Sequence, residues 1–132
     1  MTKEKLAKLI RHEGNEKRFS YKEVECLILR QYLGHLCGYA KVPLEHIWHN
    51  VNYLDIDWMH YIDIPVHGRL TFSGAIPREA GWWVGFDCGH FGDLIPYQPD
   101  LGGIYRDMNY VQSELEKLVD FMLGVKEDKT ND

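Results

Sequence analysis

The densest run of side chains able to bind a metal ion or move a proton is Asp87-Cys88-Gly89-His90-Phe91-Gly92-Asp93. Imidazole nitrogens and carboxylate oxygens suit a borderline divalent ion, and without metal a His/Asp pair can transfer protons. Strand alternation sorts the run. Cys88 shares parity with Trp82, Val84 and Phe86 and is expected to point into the core, whereas Asp87 shares the other face with Trp83 and Gly85. Gly89 and Gly92 give the following loop the freedom to fold His90 and Asp93 back. His67 lies on the polar side of an alternating segment expected to pair with this one, which would bring it near Asp87. His67, Asp87, His90 and Asp93 then form a candidate divalent-ion site with an open position for a polarised water, the chemistry of a small metal-dependent hydrolase. The competing reading is structural: Asp87 and Asp93 cap turns, His67 donates to a carbonyl, and the glycines serve only the backbone.

A second, looser group comprises His46, His49 and His60 with Asp55 and Asp57, without periodic spacing. Aromatics crowd the glycine-rich loops, Tyr39, Tyr53, Trp58 and Tyr97 among them. Trp82 and Trp83 are adjacent, so in a strand they face opposite ways and cannot share one core. Trp83 is therefore expected to form a ligand-stacking floor or contact hot spot, with Arg69 on an outward face and Tyr39 nearby, or else to fill a second core against the N-terminal helix. The first option makes the chain a cofactor-free binding protein in which His67, Asp87, His90 and Asp93 border the contact face.

Positioning these groups requires regular elements. Leu6, Leu9 and Ile10 make an amphipathic helix over 3–11, ended by Gly14-Asn15. Phe19–Arg30 reads both ways: Ser20-x-x-Glu23 resembles a capping box, while Cys26-Leu27-Ile28-Leu29 suits a buried strand. Gly34–Val42 alternates as a strand closed by Pro43. Residues 44–61 read as a structured loop with one helical turn. Ile62–Phe72 alternates most cleanly, with Ile62, Ile64, Val66, Leu70 and Phe72 inward, and Pro65 puts one end near a sheet edge. A turn over 73–81 leads to a strand over 82–88 and then a long glycine-rich loop over 89–103. From Asp107, the stripe Met108, Val111, Leu115, Leu118 and Met122 specifies a long helix stopped at Gly124. The fold class expected is α+β, a small antiparallel sheet with a short N-terminal and a long C-terminal helix, as one domain over 1–125 with a disordered polar tail over 126–132.

Within 132 residues, 45% are hydrophobic and 27% charged, ordinary for a globular chain. The net charge of −5, with no basic cluster denser than Lys17-Arg18, gives no footprint for nucleic acid. No apolar run is long enough for a membrane span. Three cysteines without a CxxC motif point to free thiols. Nothing matches a coiled coil or a capsid strand pattern, against a virion assembly role.

Four segments together resemble a family of small proteins of tailed phages and prophages: Gly34-His-Leu-Cys-Gly-Tyr39 with Val42-Pro43, Val66-His-Gly68 through Leu70-Thr-Phe-Ser-Gly74, Trp82-Trp-Val-Gly-Phe-Asp-Cys-Gly-His-Phe-Gly-Asp93, and Tyr105-Arg-Asp107 with Tyr110-Val111. The chain departs from that pattern at Leu44-Glu-His-Ile-Trp48 and at Arg69. The resemblance implies a strand over Glu23–Arg30 and a hairpin across Gln31–Gly34. It also implies phage origin and the host cytoplasm, and hence an accessory, counter-defence factor occupying a host defence protein or a signalling nucleotide. It brings no activity with it.

Overall fold

The computed structural model describes residues 1–125; the tail expected over 126–132 lies outside the described residues. Thr2 caps α1 (Lys3–Glu13) by accepting the Lys5 amide at 3.1 Å, and Gly14, at φ 79°, ends it. β1 (Glu16–Tyr21) and β2 (Val24–Arg30) then form a hairpin, and β3 (Leu36–Lys41) pairs with β2. After α2 (Tyr53–His60), β4 (Phe72–Gly74) and β5 (Trp83–Asp87) complete the sheet. Its order is β1-β2-β3-β5-β4, antiparallel throughout. The α+β fold with helices at both termini is therefore as expected.

The C-terminal helix α3 (Met108–Gly124) starts at Asp107, whose carboxylate accepts the Tyr110 amide at 2.9 Å. It lays Val111, Leu115, Leu118, Val119 and Met122 over β2 and β3, all fully buried. Gly38 permits this approach, since a Cβ there would lie 2.9 Å from the Phe86 ring and 3.0 Å from Val111. The second sheet face carries a smaller core of Leu27, Ile76 and Trp83 with Leu29, Tyr39 and Phe72 against it.

Three departures from the sequence reading have physical causes. β1 was not anticipated as a strand because its charged residues obscure the alternation; the charges suit its edge position. Its turn, Lys22-Glu23, holds both residues at positive φ, 49° and 67°, as a type I′ turn requires, without the usual Asn-Gly signal. Residues 53–60 form a capped helix, Asn52 accepting the Leu54 amide at 2.9 Å, rather than a single turn. The strand expected over 62–72 is reduced to Phe72–Gly74. Gly68 and Arg69 adopt φ of 65° and 67°, and tight turns join Val66 to Ile64 and Arg69 to Val66, so the backbone leaves the ladder. Ile64, Val66 and Leu70 still reach the core, but Ile62 is exposed and Phe72 packs on the opposite side.

Arg30 and Glu13 tie the N-terminal half to the segment that opens α3. Its side chain is 3% exposed and its guanidinium donates to the Gly14 and Gly34 carbonyls at 2.8 and 2.9 Å, to the Tyr105 hydroxyl at 2.8 Å and to Glu13 at 3.2 Å. Glu13 also accepts from the Tyr105 hydroxyl at 2.7 Å and from the Met108 amide at 2.8 Å. Every member of this buried network is satisfied, the condition under which such a network specifies one arrangement.

Candidate metal centre

His67, His90 and Asp93 converge so that one ligand atom from each lies within 4.8 Å of the others. Three chain segments supply them. His67 follows the Ile64–Val66 turn and is fastened to α3 by its amide, which donates to the buried Glu114 carboxylate at 2.8 Å. His90 and Asp93 bracket a turn in which the Asp93 amide donates to the His90 carbonyl at 2.9 Å and the His90 amide to Asp93 Oδ2 at 3.0 Å. That loop is held by the 102–104 segment, where the Ile104 amide donates to the Gly92 carbonyl at 2.9 Å.

Each candidate ligand is oriented by a further partner. His67 Nε2 lies 2.9 Å from Asp93 Oδ2, while its Nδ1 is 2.7 Å from the Tyr110 hydroxyl. Arg106 Nε donates to Asp93 Oδ1 at 2.9 Å, and its guanidinium lies 5.0 Å from the centre of the Tyr110 ring. His90 Nε2 is 3.5 Å from Asp87 Oδ1. Its Nδ1 is buried, has no hydrogen-bond partner among the described residues, and lies 3.9 Å from Asp93 Oδ2. A buried imidazole nitrogen left unpartnered beside a carboxylate calls for an explanation. A divalent ion is one such explanation, with Tyr110, Asp87 and Arg106 as the outer partners that fix tautomer and orientation.

The electrostatics agree. Burial would raise the Asp93 carboxyl, yet hydrogen bonds from His67, Arg106 and the His90 amide outweigh it and hold the group below the ordinary carboxylate range. Asp93 is thus an anion in a nearly closed site, its side chain 2% exposed. Burial raises the Tyr110 hydroxyl, keeping it protonated as a hydrogen-bonding partner. Cys88 is buried in the main core and its thiol is pushed up by burial first and the nearby Asp93 second, which removes it as a ligand, as alternation predicted.

Of the four ligands expected, Asp87 stands one step out. It accepts from the Thr71 hydroxyl at 2.9 Å and the Gly89 amide at 3.1 Å and meets the site only through His90. The cross-strand contact expected between His67 and Asp87 is absent among the described residues, because 62–71 is not in the sheet. Convergence comes instead from α3 and the 89–93 loop. Trp83, expected as an outward stacking floor, is 1% exposed, with its indole N–H donating to the Ala80 carbonyl at 3.1 Å. The second core it fills excludes α1, which the sequence reading had offered as its cover. Tyr39 is half-buried in the same core, edge-on to Phe72 at 5.3 Å. Arg69 faces a separate groove, pairing with Asp57 at 3.4 Å and Asp63 at 3.8 Å. Trp83, Tyr39 and Arg69 therefore do not form one exposed face. Arg106, Tyr110 and Glu114 are not read as site residues from the sequence: Arg106-Asp107 reads as a helix start, Tyr110 stands only within a segment of the resemblance, and Glu114 lies beside the apolar stripe of α3 like a solvated residue.

Gly68 makes the site possible. A Cβ there would lie 2.5 Å from His90 Cε1 and 2.6 Å from Nδ1, at a φ of 65°. Gly68→Ala should push the ring away, weakening divalent-ion affinity on isothermal titration by more than tenfold while costing only about 1–2 kcal/mol of stability from the left-handed backbone.

The second histidine group has structural duties. The Trp48 indole N–H donates to His60 Nε2 at 3.0 Å, His46 Nδ1 accepts the Trp48 amide at 3.0 Å, and His46 Nε2 reaches the Met122 carbonyl at 2.8 Å. Asp57 accepts the Ile64 amide at 3.2 Å. Burial, then neighbouring His46, lower the His60 pKa against the pull of Asp57. Because the folded value is below the unfolded one of about 6.5, this contribution is complete above that pH and is lost as pH falls through the lower folded value. The melting temperature should therefore drop between about pH 6.5 and pH 5, and drop less in His60→Gln.

No protein-family model, curated protein or solved structure matches the chain. No described helix is long and apolar enough to cross a membrane.

Proposed function

We propose that this chain is a small metal-dependent hydrolase with a single divalent ion held by His67, His90 and Asp93. The observation that carries this reading is the buried Nδ1 of His90, without a partner among the described residues, 3.9 Å from an ionised Asp93 whose Oδ2 also lies 2.9 Å from His67 Nε2. Two imidazoles and one carboxylate leave a coordination position open, and the ion would there polarise a water or a substrate oxygen. Tyr110 orients His67, Asp87 lies beside His90, and Arg106 holds Oδ1 of Asp93 while the His90 amide holds Oδ2.

Elemental analysis of the purified protein should find close to one equivalent of a divalent metal, with zinc and iron the ions best matched to this donor set. Hydrolysis of a panel of chromogenic esters should cease in chelator and return with metal. Protein that takes up no ion, with a melting temperature indifferent to chelator, would sink the reading.

A further inference from the structure

Building on that reading, we infer that the substrate carries a phosphoryl group, gripped by the free edge of Arg106. The guanidinium commits only Nε, to Asp93, and neither Nη has a protein acceptor among the described residues. The side chain is 23% exposed, so these donors meet solvent at the edge of a site whose carboxylate is closed off. They are also fixed in place. Arg106 contacts Asp93 and the Tyr110 ring, Tyr110 bonds His67, and His67 bonds Asp93, a closed circuit that sets the fork relative to all the ion's ligands. A rigid guanidinium fork presents paired donors to an oxyanion in a way an ammonium does not.

Charge narrows the class. A divalent ion and Arg106 outweigh Asp93 and Asp87, so the loaded centre is net positive and draws anions. A neutral ester or amide gains nothing from that excess. A phosphoryl group spreads charge over three equatorial oxygens as it is transferred, which an ion and a guanidinium on neighbouring sides can neutralise together. For a phosphomonoester the reaction balances without a further reactant. Water oxygen bonds to phosphorus, the ester P–O bond breaks with its electron pair on the alcohol oxygen, one water proton moves to that alcohol, and the other stays on phosphate.

The test uses cobalt-loaded protein and inorganic phosphate as the probe. Phosphate should perturb the visible cobalt absorption of the wild-type protein in a saturable manner, and acetate should do so at least tenfold more weakly. Arg106→Lys and Arg106→Gln, each compared at saturating cobalt, should need about tenfold more phosphate than the wild-type protein, the expected loss for a charge-assisted donor pair. Equal phosphate affinity in cobalt-loaded variants and wild type would overturn the role of Arg106, and preference for acetate would overturn the phosphoryl assignment. Wild-type protein that binds no cobalt removes the metal centre itself, and this inference with it. Should Arg106→Gln fail to fold, Arg106→Lys, which keeps a cation beside Asp93, decides the question.

Discussion

His67→Ala should abolish stoichiometric divalent-ion binding, with affinity on isothermal titration falling well beyond the roughly 10–100-fold expected for losing an outer-sphere partner. The imidazole meets Asp93 through Nε2 and Tyr110 through Nδ1, and an ion would take the place of the proton that Nε2 shares with Asp93, so removing the ring deletes a ligand. Asp87→Asn supplies the graded comparison. Asp87 meets the cluster only through His90, at 3.5 Å, and its neutralisation should cost affinity within the outer-sphere range. Circular dichroism separates loss of metal from loss of fold. If both variants bind the ion like the wild-type protein, His67 is a structural histidine and the centre does not exist.

Arg30→Met should destabilise the protein by about 3–5 kcal/mol, the range for breaking a buried ion pair by removing one partner. For a domain of this size that lowers the melting temperature by on the order of 10–20 °C. The loss arises less from the deleted attraction than from what remains: Glu13 keeps a buried charge, and the Gly14 and Gly34 carbonyls lose their donor. Replacing both partners, Arg30→Met with Glu13→Gln, should recover part of the deficit by removing the buried charge, with the single glutamine oxygen keeping one of the two donors that Oε1 and Oε2 of Glu13 accept, the Tyr105 hydroxyl and the Met108 amide. A loss below about 1 kcal/mol on chemical denaturation would show that water replaces the guanidinium and that the network is not closed.

The candidate site was legible in part. The run from Asp87 to Asp93, with His67 at a distance, named all three residues that converge, and parity alone sent Cys88 inward. The route was not legible. Cross-strand pairing of 62–72 with 82–88 was the expected means, whereas the structure turns 62–71 away from the sheet through the tight turns at Ile64–Val66 and Val66–Arg69, with Gly68 and Arg69 at positive φ, and brings His67 in by fastening it to Glu114 and Tyr110 of α3. Trp83 shows the same limit from the other side. Alternation placed it opposite Trp82 correctly, but only the distant Leu27, Ile76 and Phe72 decided that this face is covered.

Taken alone, the sequence determined what depends on near neighbours: the helix begun by Asp107 with its apolar stripe, the alternation of β3 and β5, the inward cysteine, and the clustering of imidazole and carboxylate around two glycines. Periodicity and capping act over a few residues and leave their mark in composition. Tertiary structure alone decided that Arg106 stands beside Asp93 and Tyr110 beside His67, that Asp87 stays a step back, and that Glu13 joins α1 to α3 with Arg30 against it. Those are contacts between polar residues far apart in the chain, and a polar residue reads the same in sequence whether it faces water or a buried partner.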